Sequence, residues 1–318
     1  MSIGLYKENP VKRPNGLARF FPKHTTDLVG QRRIDAVYYP FVIYENIIDF
    51  KKIEVNKLKK RYTSAEDLME DVYKKIPSTL CKRYRAHLKK TQPALHKKPL
   101  ILLNHLDMVG EYNLAANIIQ LRTSSHRANQ GSLELIMPPL INESTWSGPC
   151  KDIQPKIGFQ GSVTTHESRA RLIKYFEGVD GLTTNFFHFQ PIFGHISNAQ
   201  QKEALKVSFI ENMRQQIFAF TPRGVGNYSV RFYEALREGR IPVLLDTGTV
   251  FPCEDVIDWN DFIICESTQE ALVHKIFDWT HNRDLIALQK RCREIWESHI
   301  KFSSFIEHVP HYIQKLLC

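Results

Sequence analysis

Between residues 156 and 265, short apolar runs alternate with amphipathic helical patterns, and this alternation limits the fold more than any other feature of the chain. KIGFQG (156–161) reads as a strand and turn, and ESRARLIKYF (167–176) as a helix with Leu172, Ile173 and Phe176 on one face. QIFAFTPRG (216–224) is a strand entering a loop, YSVRFYEALREG (228–239) a helix, IPVLLD (241–246) a strand and DFIIC (261–265) a further short strand. Strands separated by helices cannot pair as hairpins, so the expected fold class is α/β, with parallel sheets covered by helices on both faces. Helical patterns from about Thr268 to Asp278 and from Asp284 to Lys315 close the chain, the second interrupted near Ser303–Ser304.

The first half is less regular. Residues 1–32 carry Pro10, Pro14, Gly16, Pro22 and Gly30, which suits an extended arm. IDAVYYPFVIY (34–44) has strand composition, with Pro40 at its end or at a bulge. Ser64 and Asp67 open a helix that carries Leu68, Val72 and Ile76 and stops before Pro77. PLILLNHLD (99–107) and LELIMPPL (133–140) read as parallel strands, and NESTWSGPCKDIQPK (142–156) as a linker. The expected division is therefore 1–150 and 151–318.

Charge and cysteine content exclude several classes. The chain has 318 residues and a formal charge of +9, concentrated in residues 51–100, where 15 Lys/Arg face 5 Asp/Glu. That stretch suits an anionic surface or glycan, or equally a solvated helical face. No RNA- or DNA-binding motif accompanies it, so no nucleic acid partner is expected. Cys81, Cys150, Cys253, Cys265, Cys292 and Cys318 form no Cys-x-x-Cys pair and are read as reduced thiols. No apolar run approaches the roughly 20 residues of a membrane span, and the first residues lack the core of a signal peptide, so a soluble cytoplasmic protein is expected, or one peripheral to a membrane.

The chemistry concentrates in FTPRGVGNYSVRFYEALREGRIPVLLD (220–246). A strand ends at Phe220 and a loop with Gly224 and Gly226 lets backbone N–H groups approach a ligand. Ser229 is placed to cap the next helix, whose positive end with Ser229 and the Arg223 guanidinium suits a pyrophosphate. Arg231 and Glu234 are three apart and so share a helix face, where a carboxylate can accept from both hydroxyls of a ribose. Gly239 is expected as a left-handed cap before the strand opened by Pro242.

This wording resembles the exostosin family of glycosyltransferases (GT47-like), in which a Pro-Arg-Gly turn precedes a Ser-x-Arg-Phe-x-Glu-Ala-Leu helix and an x-Pro-Val strand. The corresponding residues are Pro222-Arg223-Gly224, Ser229 to Leu236, and Ile241-Pro242-Val243. PCEDVIDWNDF (252–262), WESH (296–299), GFQG with SRARL (168–172), and LIMPPL extend the likeness, which is specific over about 155–317 and fades before it.

The resemblance implies a GT-B architecture of two facing Rossmann-like domains, an N-terminal acceptor side and a C-terminal donor-binding side, with the last helix able to cross back to the first domain. It implies transfer of a sugar from a nucleoside-diphosphate donor, a UDP-sugar by family expectation, to a glycan or glycoprotein acceptor, with inversion. No cofactor and no obligatory metal are expected, and the chain has no Asp-x-Asp pair. Arg169, Arg223, Ser229, Arg231 and Glu234 are carried over as donor-site residues, with Gly161 and Asp246 at strand ends that face such a cleft. Direct displacement needs a base on the acceptor side; Asp107 stands first, with His105 and Glu111 beside it. Animal and plant members are Golgi enzymes with a membrane anchor, so a chain read without one is expected to be bacterial or viral and to act in polysaccharide biosynthesis or protein glycosylation. A catalytically inactive scaffold that keeps the nucleotide-sugar fold stays open as the alternative.

Overall fold

A computed structural model describes residues 3–5, 36–42, 82, 86, 89–90, 100–104, 118–189 and 198–317. Their contacts divide the chain into two compact units, Met1–Met137 with Phe305–Cys318, and Pro138–Ser304. Among the described residues both are built on five-stranded parallel sheets, as the α/β reading expects.

The first unit pairs β1 (Ile3–Leu5), β2 (Ala36–Val42), β3 (Leu100–Asn104), β4 (Ile118–Arg122) and β5 (Glu134–Ile136) in sequential order. Pro40 lies inside β2, and the β2–β3 register shifts between Tyr39 and Val42. Proline cannot donate to a ladder, and the irregularity falls where its missing N–H would break one. At the carboxyl end of β4, Arg122 is buried against Glu134 at 2.8 Å. Asp107, His105 and Glu111, and most of the basic stretch 51–98, lie outside the described residues; Lys82, Lys89 and Lys90 are exposed helical positions.

The second unit holds β6 (Lys156–Ser162), α1 (Glu167–Glu177), β7 (Thr183–Phe189), α2 (Ala199–Arg214), β8 (Phe218–Phe220), α3 (Val230–Arg237), β9 (Ile241–Leu245), β10 (Ile264–Glu266), α4 (Gln269–Asn282) and α5 (Leu285–Ile295). Its strand order is β10-β9-β8-β6-β7. From β6 the chain steps outward to β7, then returns past β6 to β8 and runs the other way. The carboxyl ends of β6 and β8 therefore flank a topological switch point, where ligands collect in open α/β sheets. Phe159, Phe176, Phe220, Phe232, Trp259 and Phe262 fill the core. Aromatic pairs such as Phe176–Phe220 (5.1 Å, edge to face) fix its geometry.

The boundary differs from the expected one at residue 150, because residues 138–150 do not hang free. Glu238, fully buried, accepts from Ser144, Arg214 and Arg237, and its carbonyl accepts Trp146 Nε1–H at 3.1 Å. Gln289 bonds both backbone groups of Cys150, and Arg240 reaches the Gly148 carbonyl at 3.3 Å. Glu238, Gln289 and Arg240 thus strap the segment to the second unit. At the other end, a π-helical turn (Trp296–Ile300) follows α5, and α6 (Phe302–Leu317) begins after Lys301. Phe305, Ile306, Val309, Tyr312 and Ile313 form the buried stripe of α6, which belongs to the first unit from Phe305 onward.

Candidate functional site

Beside the switch point, a crevice lined by Thr221, Arg223, Tyr228, Ser229, Thr247, Thr249 and Phe251 opens between the loops that follow β8 and β9. Three devices hold those loops. Arg169, on α1, donates to the carbonyls of Ser162 (2.8 Å), Pro222 (3.1 Å) and Arg223 (2.8 Å), stapling the end of β6 to the loop after β8. Within the loop, Gly224 N–H donates to Tyr228 O at 2.9 Å. Asn227 and Thr247 exchange bonds of 3.2 and 2.6 Å, zipping the β8 loop to the β9 loop.

Ser229 occupies the N-cap position of α3 with extended backbone, yet its hydroxyl makes no capping bond, contrary to the sequence expectation. It is 7% exposed and lines the crevice. A hydroxyl that neither caps nor pairs, on the wall of a crevice, is an available donor at a helix N-terminus, where the first N–H groups already favour an anion. Arg223 adds a half-buried guanidinium whose Nε is buried without a partner. Burial pulls the Arg223 pKa below the ordinary arginine range, though it remains a cation at neutral pH.

The remaining sequence candidates take other positions. Arg169 is committed to three carbonyls, and burial lowers its pKa to about 10. Arg231 is fully buried under the sheet, 2.8 Å from Asn212 Oδ1, with its guanidinium over the rings of Phe209 (4.7 Å) and Phe159 (5.5 Å). Desolvation lowers it to about 9, against the opposing pull of Glu234. Glu234 shares that helix face, as spacing three requires, and its half-buried carboxyl accepts no hydrogen bond among the described residues. Burial raises its pKa, offset in part by Arg237 and Arg231. Gly161 sits at the carboxyl end of β6, opposite His188; a Cβ there would press on the Phe159 ring at 3.0 Å. Asp246 is exposed and accepts from Gly248 N–H at 2.8 Å, forming the turn that Gly248 completes with φ +68°. So the crevice gathers Arg223 and Ser229, Arg169 frames it, and Arg231, Glu234 and Asp246 lie outside its lining.

Sequence reasoning missed His166, Thr247, Thr249 and Phe251. His166 is the N-cap of α1, its Nδ1 accepting from Ser168 N–H at 3.2 Å. A His-x-Ser pattern just after a strand end was the signal available for it. Among the described residues no group of three or more His, Cys, Asp or Glu side chains could hold a metal, and no helix is long and apolar enough to cross a membrane.

Residues 159–276 match the model of the Exostosin GT47 domain. Exostosin-1 homolog of Caenorhabditis elegans is 29% identical over 107 residues, 33% of this chain and 28% of that protein. Exostosin-1b of Danio rerio is 31% identical over 100 residues, 31% of this chain and 13% of that protein. The chain thus spans less than a third of the length of these relatives. Among solved structures, a mutant of S. aureus TarM in complex with fondaparinux, alpha-GlcNAc-glycerol and UDP overlays with a TM-score of 0.40 at 11% identity, covering 74% of this chain and 58% of that one, too loose a likeness to build on. The resemblance to the exostosin family is therefore shown across residues 159–276, which supply every residue that lines the crevice.

Proposed function

We propose that this protein is a glycosyltransferase that holds a nucleoside-diphosphate sugar at the switch point of its second unit and transfers the sugar to a glycan hydroxyl. The observation that carries the reading is the convergence of the unpaired Ser229 hydroxyl, the partnerless Nε of Arg223 and the N-terminus of α3 in one crevice, inside the segment that matches the exostosin domain. Donors without acceptors suit a diphosphate. UDP is the proposed carrier, the expectation that goes with the exostosin match.

In the proposed displacement, the acceptor oxygen attacks the anomeric carbon as the bond to the terminal phosphate oxygen breaks, giving inversion. Charge accumulates on the departing diphosphate, and fixed donors stabilise it without a metal. Arg223 faces that charge directly, while Arg169 keeps its loop in place and Arg231 belongs to the frame beneath. Glu234, with a carboxyl open to accept, is the proposed partner of ribose hydroxyls. Asp107, with His105 and Glu111 beside it, is the proposed base, in a GT-B arrangement of the two units.

The test is calorimetric titration with a panel of UDP-sugars and UDP, alongside donor hydrolysis. Wild-type protein should bind UDP, and Arg223→Ala should lose at least about tenfold in affinity, the size of a hydrogen bond to a charged group. Absence of binding to every nucleotide-sugar in the panel would sink the reading.

A further inference from the structure

We infer that His166 is a hydrogen-bond donor to the leaving diphosphate, its imidazole held in the one neutral tautomer that leaves Nε2–H free. The inference rests on the reading of the crevice as a nucleotide-sugar site and adds to it a residue that no donor-site expectation contains.

The tautomer follows from the cap. His166 stands four residues beyond the end of β6, at the head of α1. Its Nδ1 accepts Ser168 N–H at 3.2 Å and lies 2.7 Å from Ser168 Oγ. A ring nitrogen that accepts a backbone N–H carries no proton, so the neutral ring must carry its proton on Nε2. Nε2 has no hydrogen-bond partner among the described residues.

Position follows from the staple. Arg169 ties the end of β6, from which His166 extends, to the carbonyl of Arg223. The charged groups acting on the ring are Arg223 from the loop after β8, and Glu167, Arg169 and Arg171 from α1. Burial first, then the three arginines, outweigh Glu167 and hold the imidazole neutral below its ordinary range. Three donors without a partner among the described residues therefore stand in the segments that follow β6 and β8, the two strands that flank the switch point: His166 Nε2–H, Arg223 Nε–H and Ser229 Oγ–H.

In the transfer, the electron pair of the broken bond stays on the terminal phosphate oxygen, the acceptor oxygen bonds to the anomeric carbon, and the acceptor proton goes to a carboxylate or imidazole base. His166 keeps its proton throughout. Its Nε2–H strengthens as the phosphate oxygen gains charge, which is the condition for a donor to lower a barrier rather than merely bind substrate.

The cap itself supplies the control. Asn is as good an N-cap as any residue, so His166→Asn preserves the bond to Ser168 N–H but is too short to present a donor where Nε2 stands. Wild-type, His166→Asn and Arg223→Ala proteins are titrated with UDP, and 15N-labelled imidazole is followed by NMR in the wild type. Expected are an affinity for UDP about tenfold or more weaker in His166→Asn at unchanged melting temperature, and an Nε2–H resonance that moves downfield on adding UDP. Affinity in His166→Asn within about twofold of wild type, or an Nδ1–H tautomer in the UDP complex, overturns the inference. Should the Asn variant melt early, the tautomer and the Nε2–H shift in wild type decide the question. Wild-type protein that fails to bind UDP overturns the site itself, an outcome distinct from normal UDP binding with an indifferent His166.

Discussion

Replacing Ser229 by alanine separates a structural serine from a ligand-binding one. At an ordinary N-cap this change removes a bond to the helix and costs about 1 kcal/mol. In a unit of this size that amounts to roughly 2–4 °C in melting temperature. Here the hydroxyl makes no such bond, although the residue is 7% exposed and its backbone has cap geometry. Losing a hydroxyl that makes no bond in the folded chain and stays within reach of water at the crevice should leave stability within about 0.5 kcal/mol of wild type. Binding, by contrast, should respond. A hydroxyl that donates to a phosphate oxygen is worth about 1.5–3 kcal/mol, so UDP affinity should fall by about 10- to 100-fold. Differential scanning fluorimetry without ligand, then calorimetry with UDP, reads both terms on one preparation. A Ser229→Ala protein that melts several degrees early and binds UDP normally would refute the reasoning, since the hydroxyl would then be capping in solution.

Three further outcomes follow from the frame. Arg169→Lys keeps the charge but cannot reach three carbonyls, so it should lower stability by about 2 kcal/mol and weaken UDP binding; chemical denaturation and calorimetry check both. Gly239→Ala meets a backbone at φ +62° and a Cβ site 2.9 Å from Trp146 Nε1 and 3.0 Å from the Gln289 carbonyl, and should cost about 1–3 kcal/mol by denaturant titration. Because the folded pKa of His166 is lowered, the unfolded chain binds more protons between the two values; stability should therefore be full above the ordinary histidine range and fall as pH drops through it toward the folded value, and His166→Asn should flatten that part of the curve.

The second unit was legible because its strands are short apolar runs stopped by glycine or proline and its helices carry apolar stripes. Gly239 shows the principle at one residue, being read as a left-handed cap and found with φ +62°. β7 and α2 escaped notice for a physical reason. Leu205, Phe209 and Met213 do recur at spacing four in α2, but the pattern is blurred by exposed Val207 and by buried Asn212 and, just beyond the helix, Gln216, both hydrogen-bonded inside the unit. β7, TTNFFHF, leaves Phe187 exposed at the sheet edge and breaks the alternation expected of a half-buried strand. In the site, spacing placed Arg231 and Glu234 on one face correctly, but no periodicity tells which neighbour a face meets. Arg231 turned to Asn212 and two aromatic rings instead of the crevice. His166 and the threonines after β9 belong to loops, where hydrogen bonds rather than periodicity fix position, and those partners are distant in sequence.

The strap formed by residues 138–150 and the return of α6 have a consequence for dissecting the molecule. The second unit is one uninterrupted stretch whose two ends both lead into the other unit, the arrangement of a domain spliced into a host. Lys301, 3.3 Å from Glu143 and 3.6 Å from Glu297, ties the incoming and outgoing segments at its base. A fragment spanning 138–304 therefore carries its own closure, whereas one begun at 151 discards the bonds from Ser144 and Trp146 to Glu238. Conversely, a nonsense change after Ser304 spares every residue of the crevice and damages the host, so the lesion in such a truncated protein would lie far along the sequence from the unit that fails.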